Sequence, residues 1–363
     1  MDNKLLYKIA LSKIPGIGAV LAKNLFAYCG GADMVFRANK KKLRQVPGIG
    51  DKIAATIMNS SVLRSAEKEL KDVEQHNIKV LDHLSPDYPS RLVHFSSAPY
   101  LIYHKGNSTL NPVRSVAIVG TRKPSVKGEI ICRQIVAGLK QYDVTIVSGL
   151  AYGIDITAHK ASLIEDIPTI GIMGNGFGKI YPSAHVKTAK KMLDHGGLIT
   201  EFGYQVGPDR ENFPARNRII AGMADVILVV ESASKGGSMI TAIFGNEYNK
   251  DVFAVPGRPQ DEMSAGCNYL IKTQQASLCE NADDIGYVMG WDADSAIVQK
   301  PLFVDLNKKE QIIFDLIKKQ EAIGIDLLSY KSSLAQSELS SILLNLEFKG
   351  CIKSLPGKLF TTI

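Results

Sequence analysis

VAIVGTRKPS (116–125), VTIVSGLAYGIDITAH (144–159), PTIGIMGNGFGKIYP (168–182), DVILVVESASKGGSMITA (225–242) and VFAVPGR (252–258) share one grammar: a short apolar run, then glycine. Short apolar runs of this length fit parallel strands that are covered by helices on both faces. Glycine just past such a strand allows a tight turn and close approach of backbone to a ligand. The pattern predicts an α/β body with a parallel sheet. It also predicts that the rim at the strands' carboxyl ends carries the function, because open α/β sheets bind ligands there.

The turns themselves suggest an anion. GTRKPS is neither the dinucleotide fingerprint GxGxxG nor a P-loop GxxxxGK[ST]. It places Gly120, Thr121 and Arg122 at the start of a helix, where free N–H groups and a guanidinium suit a phosphate. GNGFGKIYP adds Gly174, Asn175, Gly176 and Lys179, with Phe177 and Tyr181 close by. A cation beside aromatic rings is the make-up of a platform for unpaired bases. FPARNRIIAGM (213–223) brings Arg216 and Arg218 to a helix start; two residues apart, they cannot both face one side. GGSMITA (236–242) offers a further helix start at Gly237 and Ser238, with the hydroxyls of Ser238 and Thr241 as donors. Asp155 and His159, four apart, share a helix face. With no nucleophile or metal set beside them, Asp155 reads as a cap for backbone donors and His159 as a satisfied core histidine.

The chain has 363 residues, enough for two or three domains, and 45% apolar residues, as in a soluble globular protein. No apolar run approaches the roughly 20 residues of a membrane span, and the amino-terminal stretch carries a lysine where a secretory signal would be apolar. The five cysteines are scattered and fit neither a disulfide framework nor a zinc pattern, so a reducing cytoplasm is expected. The formal net charge of +7 is concentrated in residues 1–72, which hold 13 Lys+Arg against 6 Asp+Glu. A basic segment on a neutral body suggests a polyanionic partner, or simply a solvated lysine-rich surface.

That basic segment holds an internal repeat. IPGIGAVLAKNLF (14–26) and VPGIGDKIAATIM (46–58) begin 32 residues apart, each with Pro-Gly-Ile-Gly between two helical patterns. This is the outline of two helix-hairpin-helix units over residues 1–75. Either Gly16, Gly18, Lys23, Gly48, Gly50 and Lys52 meet duplex backbone, or the pair forms a helical docking module. Residues 80–290 form the α/β body and 291–304 read as a linker. In 305–363 three helical patterns precede CIKSLPGKLFTTI, a hairpin turning at Pro356-Gly357, which outlines a winged helix. Its third helix carries little positive charge beyond Lys349, so protein docking or weak DNA contact is expected of it.

VAIVGTRKPS, SGLAYGIDITAH, GNG…IYP, TEF, FPARNRIIAGM, GGSMITA, VFAVPGR and GCNYLI occur in the order found in the DNA-processing protein A (DprA/Smf) family, over roughly residues 80–285. The chain therefore resembles that family. The resemblance implies an extended Rossmann domain and a non-enzymatic protein that binds single-stranded DNA, without cofactor or metal. It further implies shielding of incoming DNA in natural transformation, loading of the recombinase RecA, and a homodimer. By the family's motif Arg122 contacts DNA phosphate and the GNG…YP stretch borders the groove. Many members carry a lysine after that Tyr-Pro; Ser183 stands there in this chain. The alternative is a Rossmann-like nucleotide phosphoribohydrolase, whose PGGxGT turn GGSMITA partly matches. Ser238-Met239 break that spacing, however, and Glu231 precedes the turn. A nicotinamide-dependent oxidoreductase is weaker still, for want of the glycine fingerprint.

Overall fold

The computed structural model describes residues 3–58, 61–291, 306–318, 323–332, 334–349, 351–355 and 359–362. The chain divides into two compact units, residues 1–296 and 297–363. Of the expected linker at 291–304, all but Trp291 lies outside the described residues.

The first unit is built on one sheet. Its strands are β1 (Lys79–Asp82), β2 (Leu101–Gly106), β3 (Arg114–Val119), β4 (Val144–Gly149), β5 (Thr169–Ile172), β6 (Gly196–Thr200), β7 (Val226–Val229), β8 (Asp251–Ala254) and β9 (Ser277–Leu278). Their spatial order is β1-β2-β6-β5-β4-β3-β7-β8-β9. The pairings from β6 to β9 are parallel, while β1 and β2 are antiparallel additions at one edge. The parallel part starts at β3, moves outward through β4, β5 and β6, and returns to β7 on the opposite side of β3. The carboxyl ends of β3 and β7, paired through Val119 and Val229, therefore flank the topological switch point, where a crevice opens.

Both faces of the sheet are buried, which is why the strands read as unbroken apolar runs. Val116 and Ile118 point into the layer that contains Cys132, Ile135 and Val136, while Ala117 and Val119 point into the one that contains Ile219 and Ile220. Each fully buried aliphatic side chain contributes about 1.5–3 kcal/mol. His159 is wholly buried, with Nδ1 2.7 Å from the Thr169 hydroxyl and Nε2 2.7 Å from the Gly149 carbonyl, so it is the core residue expected of it.

Among the described residues six helices precede β1, from Asn3–Ser12 to Val62–Gln75. The two PGIG turns are present, with Gly16 and Gly48 at φ +79° and +84°, in the left-handed region that glycine tolerates. The helical module shares its core with Tyr100, Leu101 and Tyr103 of the β2 region. Lys13 meets the buried carboxylate of Glu69 at 3.0 Å, and Glu69 in turn accepts the Tyr204 N–H at 2.5 Å. Residues 1–75 and the α/β body thus pack into one unit, and several hairpin residues are used inside it. The Lys23 ammonium turns toward the Ser96 carbonyl, 3.5 Å away, and burial there, with Arg218 nearby, lowers its pKa. A Cβ on Gly48 would press on Leu21 at 2.7 Å. Lys23 is therefore half-buried and turned toward Ser96 inside the unit, which takes it away from a duplex, whereas Gly48 is exposed and its left-handed turn rests beside Leu21. Gly16, Gly18 and Gly50 have open space around them, and Lys52 is exposed. The helix that follows Gly50 begins with Asp51, paired to Lys40 at 2.9 Å, which puts a negative charge where a phosphate would dock.

The second unit has helices Lys308–Lys318, Ile325–Ser332 and Gln336–Phe348 and strands β10 (Ile323–Gly324), β11 (Ile352–Leu355) and β12 (Leu359–Thr362), in the order β10-β12-β11. This is a winged helix. β10, only two residues long, is the strand the sequence does not announce. The hairpin turn at Pro356-Gly357 lies outside the described residues. Lys349 reaches inward to Glu310, 2.7 Å away and almost fully buried.

Candidate nucleic-acid interface

The crevice between β3 and β7 is a cleft of about 720 Å³. Gly120, Thr121 and Arg122 form one wall; Ser232, Gly236, Gly237 and Ser238 form the other; Phe213, Arg216 and Asn217 close a third side. The turn at Arg122 is held from below. Thr121 donates its N–H to the Glu231 carbonyl at 2.6 Å and accepts from the Ile154 N–H at 3.1 Å. Gly153, at φ +80°, passes directly beneath, and a Cβ there would collide with the Thr121 carbonyl and the Arg122 backbone. Gly153→Ala is therefore expected to cost about 1–3 kcal/mol of stability. An unchanged urea midpoint would mean that the turn has room to shift.

Arg122 is exposed and borders three hollows: the cleft, a small recess beside Gly174, and a groove of about 540 Å³ that Lys123, Arg133, Tyr152 and Lys160 also line. Its guanidinium lies 5.7 Å from the centre of the Phe213 ring, and that ring is 5.8 Å from Tyr181. Tyr181 and Tyr152 are both exposed. A cation, two rings in series and a third ring across the turn make a surface on which bases can stack while phosphates are held.

Arg216 comes from the helix Asn212–Met223 and is only 4% exposed, yet its side chain lines the cleft. Nη1 donates to the Ile172 carbonyl, and Nε has no hydrogen-bond partner. Asp155, also buried, caps the Ala151 N–H at 3.4 Å, as expected of it. A Cβ on Gly149 would strike both the Arg216 guanidinium and the Asp155 carboxylate, so glycine here leaves room for two opposite charges. Burial pushes the Asp155 carboxyl up, against the pull of Arg216.

Four of the expected contacts are taken up by the protein itself. Arg218 pairs with Glu201 at 2.5 Å and does not line the cleft; one side of its helix faces the ligand edge, and Arg218 is on the other. Asn175 is fully buried and donates to the carbonyls of Gly176 and Lys179, at 2.9 and 2.5 Å, so it braces its loop instead of meeting a ligand. Ser238 lines the cleft, but its hydroxyl donates to Ser232 Oγ at 2.7 Å and is spent there. Gly176 packs against the backbone of Gly203 and Tyr204, where a Cβ has no room, and Gly174 lies against the Phe213 ring. Lys179 is exposed on the same loop, outside the cleft wall. The sequence reading passed over Phe213, the ring under Arg122, and Arg210 at the cleft's edge. An aromatic directly before the Pro214 that opens the arginine helix was the available signal.

The family model for DNA recombination-mediator protein A matches residues 79–290, which contain the whole cleft. The chain belongs to the DprA/Smf family. A SAM-like helix-hairpin-helix tandem matches residues 8–60 and a DprA winged helix domain residues 300–358. Protein Smf of Synechocystis is 30% identical over 97% of each chain. Among solved structures, DprA of Streptococcus pneumoniae is similar with TM-score 0.65 at 29% identity, over 79% of this chain and 98% of that one. DprA of Helicobacter pylori, solved for its mode of binding single-stranded DNA, is similar with TM-score 0.54 at 26% identity, over 59% of this chain and 97% of that one. Among its described residues the chain has no helix long and apolar enough to cross a membrane.

Proposed function

We propose that this protein binds single-stranded DNA at the β3–β7 rim, without turning it over, and acts in DNA processing for transformation and recombination by shielding the strand and helping to load RecA. The observation that carries the reading is the Arg122 guanidinium set over Phe213, with Tyr181 next in line, at the mouth of a cleft lined by glycine backbone. A duplex keeps its bases stacked on one another; rings at this spacing gain contact only with bases that are free. The H. pylori relative's single-stranded DNA binding supports the same assignment. Gly120, Thr121, Arg122, Gly174, Lys179, Arg216 and Gly237 are the residues proposed to border the strand. Asp155 is the one carboxylate among the cleft's described lining residues, and it is buried, accepts a backbone N–H and lies beside the Arg216 guanidinium, which favours binding over hydrolysis of a nucleotide. We further propose a homodimer in a reducing cytoplasm, which would offer two such rims to one strand and so raise avidity on long DNA.

Fluorescence titration of a labelled oligothymidylate tests this reading. Arg122→Ala is expected to weaken binding about tenfold or more, and to lower the slope of log K against log salt by about 0.7, the share of one single-strand phosphate. Equal affinities and slopes for the variant and the parent would remove Arg122 from the interface. Tighter binding to duplex than to single strand would reject the reading as a whole.

A further inference from the structure

The two helix starts that flank the switch point are not equivalent. The helix Val126–Leu139 is closed from within: Ser125 caps the Gly128 N–H at 3.0 Å, and the Glu231 carboxylate accepts the Ser125 N–H at 2.9 Å. A carboxylate already occupies that anion position. The helix Gly237–Glu247 is the reverse, since its cap is Gly236, no side chain covers its first N–H groups, and a Cβ on Gly237 would meet nothing within 4 Å. It opens on the cleft that Arg216 lines from the other side with a buried guanidinium whose Nε is unpartnered.

We propose that the inner cleft is a site for a nucleotide phosphomonoester, either the phosphorylated end of a strand or a free nucleoside monophosphate; the proposal rests on the single-strand reading and deepens it. Two physical points separate a monoester from the internal phosphodiesters that Arg122 holds at the surface. The first is reach. An internal phosphate has a sugar on each side, and both must leave the site, whereas a terminal phosphate has one substituent and can enter a recess to a guanidinium that is 4% exposed. The second is charge. Arg122, Arg210 and Arg216, less Asp155, give the cleft lining a net +2, and the open helix start adds roughly half a charge. A phosphomonoester carries about −1.5 to −2 near neutral pH, against −1 for a diester. The rings of Phe213 and Tyr181 stand at the mouth, where the attached base would stack.

The test uses the full-length protein and a dT20 strand with an internal fluorophore, carrying a 5′-phosphate, a 3′-phosphate, or hydroxyls at both ends, with dTMP and thymidine as competitors. One phosphorylated end is expected to raise affinity about tenfold over the hydroxyl-ended strand, or dTMP to compete where thymidine does not. Preference for the strand end alone identifies that source, and competition by dTMP alone identifies the free nucleotide; either supports the site. Gly237→Asp, which projects a carboxylate into the open cleft, is expected to abolish the monoester advantage, and the uncharged isostere Gly237→Asn to keep most of it. Equal affinity for all three strands, with no competition by millimolar dTMP, would overturn the proposal even if strand binding itself is intact. Loss of all strand binding would instead strike the underlying single-strand reading.

Discussion

Arg216→Met is expected to destabilise the fold by about 3–5 kcal/mol, the usual cost of removing one partner of a buried charge pair. The methionine fills most of the volume, so the loss is electrostatic. The Asp155 carboxylate would stay buried beside Gly149 with no countercharge, and the Ile172 carbonyl would lose its donor. The double variant Arg216→Met/Asp155→Asn separates this from a simple packing defect. With no carboxylate left behind, it should recover a large share of the loss, and urea midpoints of the two singles and the double give the coupling directly. Purely additive losses would mean that the two charges do not act as a pair. The double variant should recover stability but not strand binding, because Arg216 is the deep cation of the cleft. Stability and binding are thus expected to separate at one residue.

Arg216 also marks how far the sequence could be read. β3, β4, β5, β7 and β8 were legible because an apolar run followed by glycine has few other meanings in an α/β chain. β6 was not. It begins Gly196-Gly197, which reads as a turn, but the glycines are needed: a Cβ on Gly196 would collide with the Thr169 carbonyl of β5, and one on Gly197 would press on the His104 ring of β2 at 2.8 Å. The cleft's location was legible from the glycines. The fate of each polar side chain around it was not, since that depends on which partner it meets once the chain is folded. Arg218 finds Glu201 across the sheet edge, Lys23 finds Ser96, and Asn175 turns into its own loop. Nothing in FPARNRIIAGM distinguishes the arginine that enters the cleft from the one that leaves it, because the helix is buried on both of the faces they use. The hairpin module read correctly as helices, but its docking on Tyr100 and Tyr103 comes from strand residues that alone suggest only an edge.

Acid should unfold the first unit through two histidines. Burial pushes both His159 and His104 down to about 4, far below the ordinary value near 6.5. The Gly149 carbonyl can only accept, so the His159 ring carries its proton on Nε2, and Nδ1 accepts from the Thr169 hydroxyl. A second proton would break that arrangement in a site with no access to water. His104 is 4% exposed and its Nε2 has no partner to receive a charge. The sign follows from proton counts. Between about pH 6.5 and pH 4 the unfolded chain binds protons at these positions and the native chain does not, so stability is full above 6.5 and falls as the pH drops through this window. At about 1.36 kcal/mol for each pH unit, each histidine accounts for a loss on the order of a few kcal/mol by pH 4. Urea unfolding at stepped pH from 7.5 to 4.5 would check this, with His159→Gln and His104→Gln each expected to flatten the slope by about one proton. A stability that stays level down to pH 5 would contradict the account. The consequence reaches the cleft, because His159 is bonded to Gly149, the residue against which Arg216 and Asp155 are packed. Strand binding is therefore expected to weaken in the same pH window in which the core loosens, and in the parent more than in His159→Gln.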